Sequence, residues 1–142
     1  MKVAVVGLGH IGLPTALLLA QRHEVVGVDV DESLVATLND GELPLDEPGL
    51  DSLHDEVAER FTAATEPESA DAYVITVPTP LDQRENVADL GFVRAAVESV
   101  ADVVSADELV VLESTVPPGT SERLVQPILA DAADDVRYAH CP

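Results

Sequence analysis

Residues 2–12 read KVAVVGLGHIG, a short apolar run that ends in three glycines at positions 7, 9 and 12. This pattern predicts a buried strand, a tight turn and the start of a helix. Gly7 permits the turn, Gly9 lets the backbone approach a ligand closely, and Gly12 allows the helix to pack against the strand. Because a helix N-terminus presents N–H groups and a positive dipole, the stretch predicts a binding site for a pyrophosphate.

A carboxylate follows where a dinucleotide site requires one. Asp29 ends the second predicted strand, Glu24–Asp29, and lies 17 residues after Gly12. Such a carboxylate accepts hydrogen bonds from the adenosine ribose hydroxyls and repels a 2′-phosphate, so the expected cofactor is NAD rather than NADP. The simpler alternatives are a turn without a ligand at the glycines and a solvated strand end at Asp29.

Strand-like and helix-like segments alternate along the chain, which predicts parallel β-α-β units. The expected fold class is α/β, a doubly wound Rossmann sheet of about six parallel strands with helices on both faces, in one domain over residues 1–142. Asp89 is expected to cap the fourth helix, and Thr120 or Ser121 the fifth. The predicted strands are Lys2–Val6, Glu24–Asp29, Phe61–Ala63, Ala72–Val77, Glu108–Glu113 and Val136–His140, the predicted helices are Ile11–Arg22, Asp31–Asn39, Leu53–Glu59, Asp89–Val104 and Ser121–Ala132, and Glu42–Leu50 is a turn-rich connection.

Composition and charge exclude several classes of protein. The 27 acidic residues outnumber the 7 basic ones, giving a formal net charge of -20, which disfavours nucleic acid and anionic membranes as partners. Either a well-solvated surface or adaptation to high salt explains this charge. Without a bilayer-length apolar run or a secretory signal pattern, the expectation is a soluble, cytoplasmic protein. The histidines show no metal-ligand spacing, so no metal is expected, and the lone Cys141 is expected to be a small buried residue.

Two further loops follow predicted strands at the edge where a parallel sheet binds ligands. Val77-Pro78-Thr79-Pro80 follows the fourth strand, and Glu113-Ser114-Thr115 begins the loop after the fifth. Both loops place hydroxyl groups beside the expected cofactor crevice, so Thr79 and Thr115 are candidate cofactor-binding residues. The alternative is that they are ordinary loop residues shaped by the neighbouring prolines.

The chain resembles the N-terminal NAD-binding domain of the UDP-glucose/GDP-mannose dehydrogenases. The resemblance extends over essentially the whole chain and looks closest to the UDP-N-acetylmannosamine dehydrogenase branch. The motifs that resemble the family are Val5–Thr15, Gly27–Asp31, Glu47–Leu50, Val77–Pro80, Glu113–Thr115 and Cys141-Pro142.

The resemblance implies an activity and further site residues. Enzymes of this family oxidise the C6 alcohol of a UDP-sugar to a carboxylate in two steps with two NAD, and they usually form homodimers. Thr115 matches a threonine near the nicotinamide that positions a water or the cofactor, and is the catalytic candidate. His10 and Ile11 match positions whose backbone contacts the cofactor phosphates. The family's catalytic cysteine, lysine and glutamate are expected beyond Pro142, so this chain alone should bind NAD without completing turnover.

Two other functions remain open from the residues. A stand-alone NAD-sensing module would need the glycines and Asp29 but not the Thr79 and Thr115 loops. Another NAD enzyme, such as a hydroxyacid dehydrogenase, would lack the Glu47–Leu50 and Glu-Ser-Thr segments.

Overall fold

Eight strands are present in the computed structural model, which describes residues 1–45, 47–82 and 87–142. They are β1 (Lys2–Val6), β2 (Glu24–Val28), β3 (Phe61–Ala64), β4 (Ala72–Ile75), β5 (Leu81–Asp82), β6 (Val87–Ala88), β7 (Leu109–Leu112) and β8 (Arg137–His140). Six of them form one sheet in the order β3-β2-β1-β4-β7-β8, and every neighbouring pair in it is parallel. The connections diverge at β1 and β4, which places the ligand crevice of a doubly wound sheet at their carboxyl ends. The predicted fold class is confirmed.

The sheet has a helical layer on each face. The helices are α1 (Gly12–Ala20), α2 (Glu32–Asn39), α3 (Leu50–Val57), α4 (Gly91–Ala101) and α5 (Gln126–Ala132), the last preceded by a π-helical turn, Ser121–Val125. Alternate residues of β1 enter different cores, since successive side chains of a strand point to opposite faces. Val3 and Val5 pack with α1, α2 and α3, whereas Ala4 and Val6 pack with α4 and α5. This alternation holds both layers against one strand and fixes the crevice between them.

The start of α3 and one short pair of strands differ from the prediction. Leu50 starts α3 directly after Gly49, whose φ of 87° ends the preceding turn, so α3 begins three residues before the predicted Leu53. Asp46, in the connection before it, lies outside the described residues. The antiparallel pairing of β5 with β6 was not predicted, because two-residue strands give no hydrophobic period to recognise.

Helix capping differs from the prediction at both helices. The N-cap residue of α4 is Leu90, which makes no side-chain cap hydrogen bond, although Asp89 Oδ1 accepts a hydrogen bond from the Gly91 N–H at 2.8 Å. The capping role predicted for Thr120 or Ser121 is wrong. The Thr120 hydroxyl donates to the Pro117 carbonyl at 2.7 Å, and the Ser121 hydroxyl lies 2.8 Å from the Tyr138 hydroxyl. Thr120 occupies the N-cap position of the π-helical turn but makes no side-chain cap hydrogen bond.

Two tyrosines beneath the second helical layer have shifted titration. Burial raises the pKa of the Tyr73 phenol above its ordinary 10.0; the hydrogen bond from the Ala70 N–H opposes the shift, and the Glu108 carboxylate adds to it. Burial likewise raises the pKa of Tyr138, against the hydrogen bond with Ser121. Both phenols therefore stay neutral in the folded chain at neutral pH.

In the described part of the chain, no helix combines the length and apolar character of a membrane span.

Candidate functional site

The loop from Gly7 to Gly12 joins β1 to α1 at the carboxyl edge of the sheet. Gly7 has a φ of +96°, a left-handed conformation that strains other residues, and its N–H donates to the Val28 carbonyl at 2.7 Å. A Cβ at Gly12 would overlap the Gly7 carbonyl oxygen and Thr76 Oγ1, and would lie 2.9 Å from the Gly7 carbonyl carbon. The first glycine is thus required by the turn, and the third by the close contact of helix and strand.

The middle of this loop borders open space. A Cβ added at Gly9 would meet no atom within 4 Å, which leaves the room that close approach of a diphosphate needs. Ile11 is the N-cap residue of α1 and makes no side-chain cap hydrogen bond, so its side chain does not occupy the first N–H groups of the helix. The side chains of His10 and Ile11 are 81% and 61% exposed. Both side chains therefore point mainly into solvent and are not packed in the protein core.

Asp29 is oriented by two backbone groups. Its Oδ2 accepts from the Leu8 N–H at 2.9 Å and its Oδ1 from the Asp31 N–H at 3.0 Å. A carboxylate has about four acceptor positions, so lone pairs remain for ribose hydroxyls. Asp31 plays a different part, since its Oδ1 accepts from the Ser33 N–H at 2.9 Å and caps α2.

A cleft of about 360 Å³ is lined by Leu8 and Asp31, the two residues whose N–H groups hold the Asp29 carboxylate. Its walls are the glycine loop, the start of α2 and the connection before α3, and they include Gly9, His10, Asp31 and Leu45. His10 Nδ1 lies 3.6 Å from Glu47 Oε1, so this pair links two of the walls. The cleft has the size of a small-molecule site. A second cavity of about 350 Å³, between α5 and β8, includes none of the predicted site residues.

The structure brings the two candidate threonines together. Thr79 Oγ1 donates to the carbonyl oxygen of Thr115 at 2.8 Å, while the Thr115 residue is exposed at the strand ends. The Thr79 hydroxyl is therefore used as a donor inside the protein. The Thr115 carbonyl is therefore the acceptor of this bond, and the residue itself is exposed.

Sequence reasoning missed two hydroxyl side chains at the same edge. Thr76 Oγ1 donates to the Gly7 carbonyl at 2.7 Å and so joins the end of β4 to the glycine loop. Ser114 is buried, and its Oγ donates to the Val77 carbonyl at 2.7 Å. Each is the first hydroxyl residue after its apolar strand, a position that marks it as a group at the ligand edge.

The remaining candidates lie apart from the crevice or do not combine. His54 is buried against the Phe61 ring at a centroid distance of 6.0 Å, a structural role. Cys141 is exposed, so the expectation of a buried cysteine is wrong. It follows β8, one of the two edge strands of the sheet, which has a neighbour on one side only. Over residues 1–45, 47–82 and 87–142, no group of three or more His, Cys, Asp and Glu side chains is arranged to hold a metal ion.

The site's parts match one kind of ligand. Backbone N–H groups at a helix start, open space at Gly9 and an oriented carboxylate at the end of β2 are what a dinucleotide's diphosphate and adenosine ribose require. The parallel sheet and these groups define a dinucleotide-binding Rossmann domain.

Comparison with known proteins gives the family. The chain belongs to the UDP-glucose/GDP-mannose dehydrogenase family, and the profile of that family's NAD binding domain matches residues 1–142. The resemblance and the cofactor expected from the sequence are thereby confirmed.

Individual relatives are similar over nearly the whole chain. An NDP-N-acetyl-D-galactosaminuronic acid dehydrogenase from Ralstonia nicotianae is 44% identical over 99% of the chain and 36% of its own length. A UDP-N-acetyl-D-mannosamine dehydrogenase from Campylobacter jejuni is 39% identical over 99% of the chain and 38% of its own length. The structure of the UDP-N-acetyl-mannosamine dehydrogenase from Staphylococcus aureus superposes with a TM-score of 0.93 and 32% identity, over 100% of this chain and 36% of that one. The chain thus spans about a third of the length of these relatives.

Proposed function

We propose that this chain is the cofactor-binding part of an NAD-dependent nucleotide-sugar 6-dehydrogenase. In this proposal NAD lies across the carboxyl ends of β1 and β4, with its diphosphate at the glycine loop. The open space at Gly9, beside the oriented carboxylate of Asp29, is the observation that supports it most directly. When bound, NAD accepts a hydride from the C6 carbon of the sugar.

Each candidate residue has a stated part in this proposal. Gly7 and Gly12 shape the loop, and the backbone of Gly9, His10 and Ile11 holds the diphosphate. The Asp29 carboxylate accepts the ribose hydroxyls. Thr79 and Thr115 lie on the nicotinamide side, where Thr115 is the catalytic candidate that positions a water or the cofactor.

The proposed substrate is a UDP-sugar of the N-acetylmannosamine or glucose type. The names of the Campylobacter and Staphylococcus relatives support the first sugar, whereas the Ralstonia relative is named for a different one. Oxidation of the C6 alcohol to a carboxylate needs two NAD, one hydride each, and a water that supplies the second carboxylate oxygen. A homodimeric full-length enzyme, a cytoplasmic location and a role in polysaccharide biosynthesis complete the proposal.

A titration at molar salt tests the cofactor part. The chain is titrated with NAD, with NADP and with UDP-N-acetylmannosamine, and isothermal titration calorimetry reports binding. We expect saturable binding of NAD, at least tenfold weaker binding of NADP because its 2′-phosphate meets Asp29, and no NADH formation from the sugar. Tighter binding of NADP would overturn the role of Asp29, and turnover of the sugar by this chain unaided would overturn the proposed division of labour.

A further inference from the structure

Two hydrogen bonds run in opposite directions between the loops that follow β4 and β7. Ser114 Oγ donates to the Val77 carbonyl at 2.7 Å, and Thr79 Oγ1 donates to the Thr115 carbonyl at 2.8 Å. Each loop therefore supplies one hydroxyl and one carbonyl to the other. Two antiparallel bonds fix both the separation and the relative orientation of the loops, which a single bond would not do. We call this pair of bonds the loop tie.

The end of β8 and the residue after it support the tie from the other side. His140 Nε2 lies 3.2 Å from the Ser114 carbonyl oxygen, and because a carbonyl has no hydrogen, the imidazole is the donor. The Cys141 N–H donates to the Leu112 carbonyl at 2.9 Å, at the end of β7. The segment that holds Thr115 is thus bonded to both of its neighbouring loops.

We propose that Ser114 and Thr79 are positioning residues that hold Thr115 against the nicotinamide half of NAD. The inference rests on the proposed function. A doubly wound sheet has two mononucleotide-binding halves. Since Asp29 follows β2 on the adenosine side, the loops after β4 and β7 face the nicotinamide side. Ser114 is only 7% exposed, so its hydroxyl acts through the loop. The Thr79 hydroxyl serves Thr115 as a donor and does not donate to the cofactor.

Two ligands that differ by one group isolate this effect. ADP-ribose has the adenosine, diphosphate and ribose of NAD but lacks the nicotinamide. For Ser114→Ala and Thr79→Val we expect the Kd of NAD to rise about fivefold, the effect of losing one ordered hydrogen bond, and the Kd of ADP-ribose to change less than about twofold. Thr79→Ser keeps the donor and should restore the NAD affinity.

A matched control separates positioning from general stability. Ser99 Oγ donates to the Ala96 carbonyl at 2.9 Å within α4, so Ser99→Ala removes the same kind of bond away from the crevice. This variant should leave both Kd values unchanged. If Ser114→Ala does not fold, the more exposed Thr79 variants decide the question.

The possible results divide clearly. An equal loss for both ligands, or no loss for NAD in either variant, would overturn the inference while the proposed function stands. If the unsubstituted chain bound neither NAD nor ADP-ribose, the proposed function and this inference would both be wrong.

Discussion

Replacing Gly9 by alanine should weaken cofactor binding without harming the fold. A Cβ at this position meets no protein atom within 4 Å, and Gly9 is not among the glycines with positive φ. Alanine at such a site changes the free energy of unfolding by no more than about 0.5 kcal/mol in either direction. If the diphosphate fills the open space, the added methyl group must push it away. An overlap of this kind costs about 2 kcal/mol, which raises the Kd of NAD roughly thirtyfold.

Gly12→Ala is the companion variant, because its Cβ overlaps the protein itself. The first turn of α1 would have to move by about 1.5 Å or more to restore an ordinary contact with the Gly7 carbonyl and Thr76. We expect the free energy of unfolding to fall by about 2 to 4 kcal/mol, with loss of NAD affinity as well.

Urea unfolding and calorimetric titration with NAD, both at one fixed molar salt concentration, distinguish the two variants. The reasoning fails if Gly9→Ala binds NAD as tightly as the unsubstituted chain, since the space would then not belong to the ligand. It fails equally if Gly12→Ala is as stable as the unsubstituted chain.

Three further predictions concern charge and titration. Asp29→Asn offers one acceptor oxygen to two backbone N–H groups, so the free energy of unfolding should fall by about 1 kcal/mol. The preference for NAD over NADP should also shrink about tenfold, and an unchanged preference would contradict the role assigned to Asp29. Because folding raises the pKa of Tyr73, its stabilising contribution is complete below pH 10.0 and is lost as the pH rises through the folded-state pKa. Urea unfolding from pH 8 to 11 should therefore show that the free energy of unfolding declines less steeply for Tyr73→Phe than for the unsubstituted chain. An identical decline would refute this prediction. A formal net charge of -20 predicts that Tm rises from millimolar to molar potassium chloride, and a constant Tm would refute adaptation to salt.

The sequence sufficed for the sheet because its signals are local. The apolar runs of β1 and β4, the glycine loop and the carboxylate at Asp29 each lie within a few consecutive residues, and parallel topology follows from their alternation with helices. All six sheet strands were predicted at nearly their observed positions.

What the sequence did not disclose depends on contacts between distant residues. Ser114 and Val77 are 37 positions apart, and no local pattern indicates that their loops exchange hydrogen bonds. The role of the Thr120 hydroxyl was mistaken for a similar reason, because its choice between a helix N–H and the Pro117 carbonyl depends on the turn's three-dimensional path. Exposure of Cys141 follows from the position of β8 at the sheet edge, which the strand order determines and the local sequence does not.

The two backbone donors that hold Asp29 have a thermodynamic consequence. A free surface carboxylate samples several rotamers and loses that freedom when a ligand arrives, whereas this one is already fixed by the Leu8 and Asp31 N–H groups. Its conformational entropy is therefore lost during folding instead of during ligand capture. Adenosine recognition at this corner should behave as lock-and-key docking, with rapid association and little side-chain rearrangement.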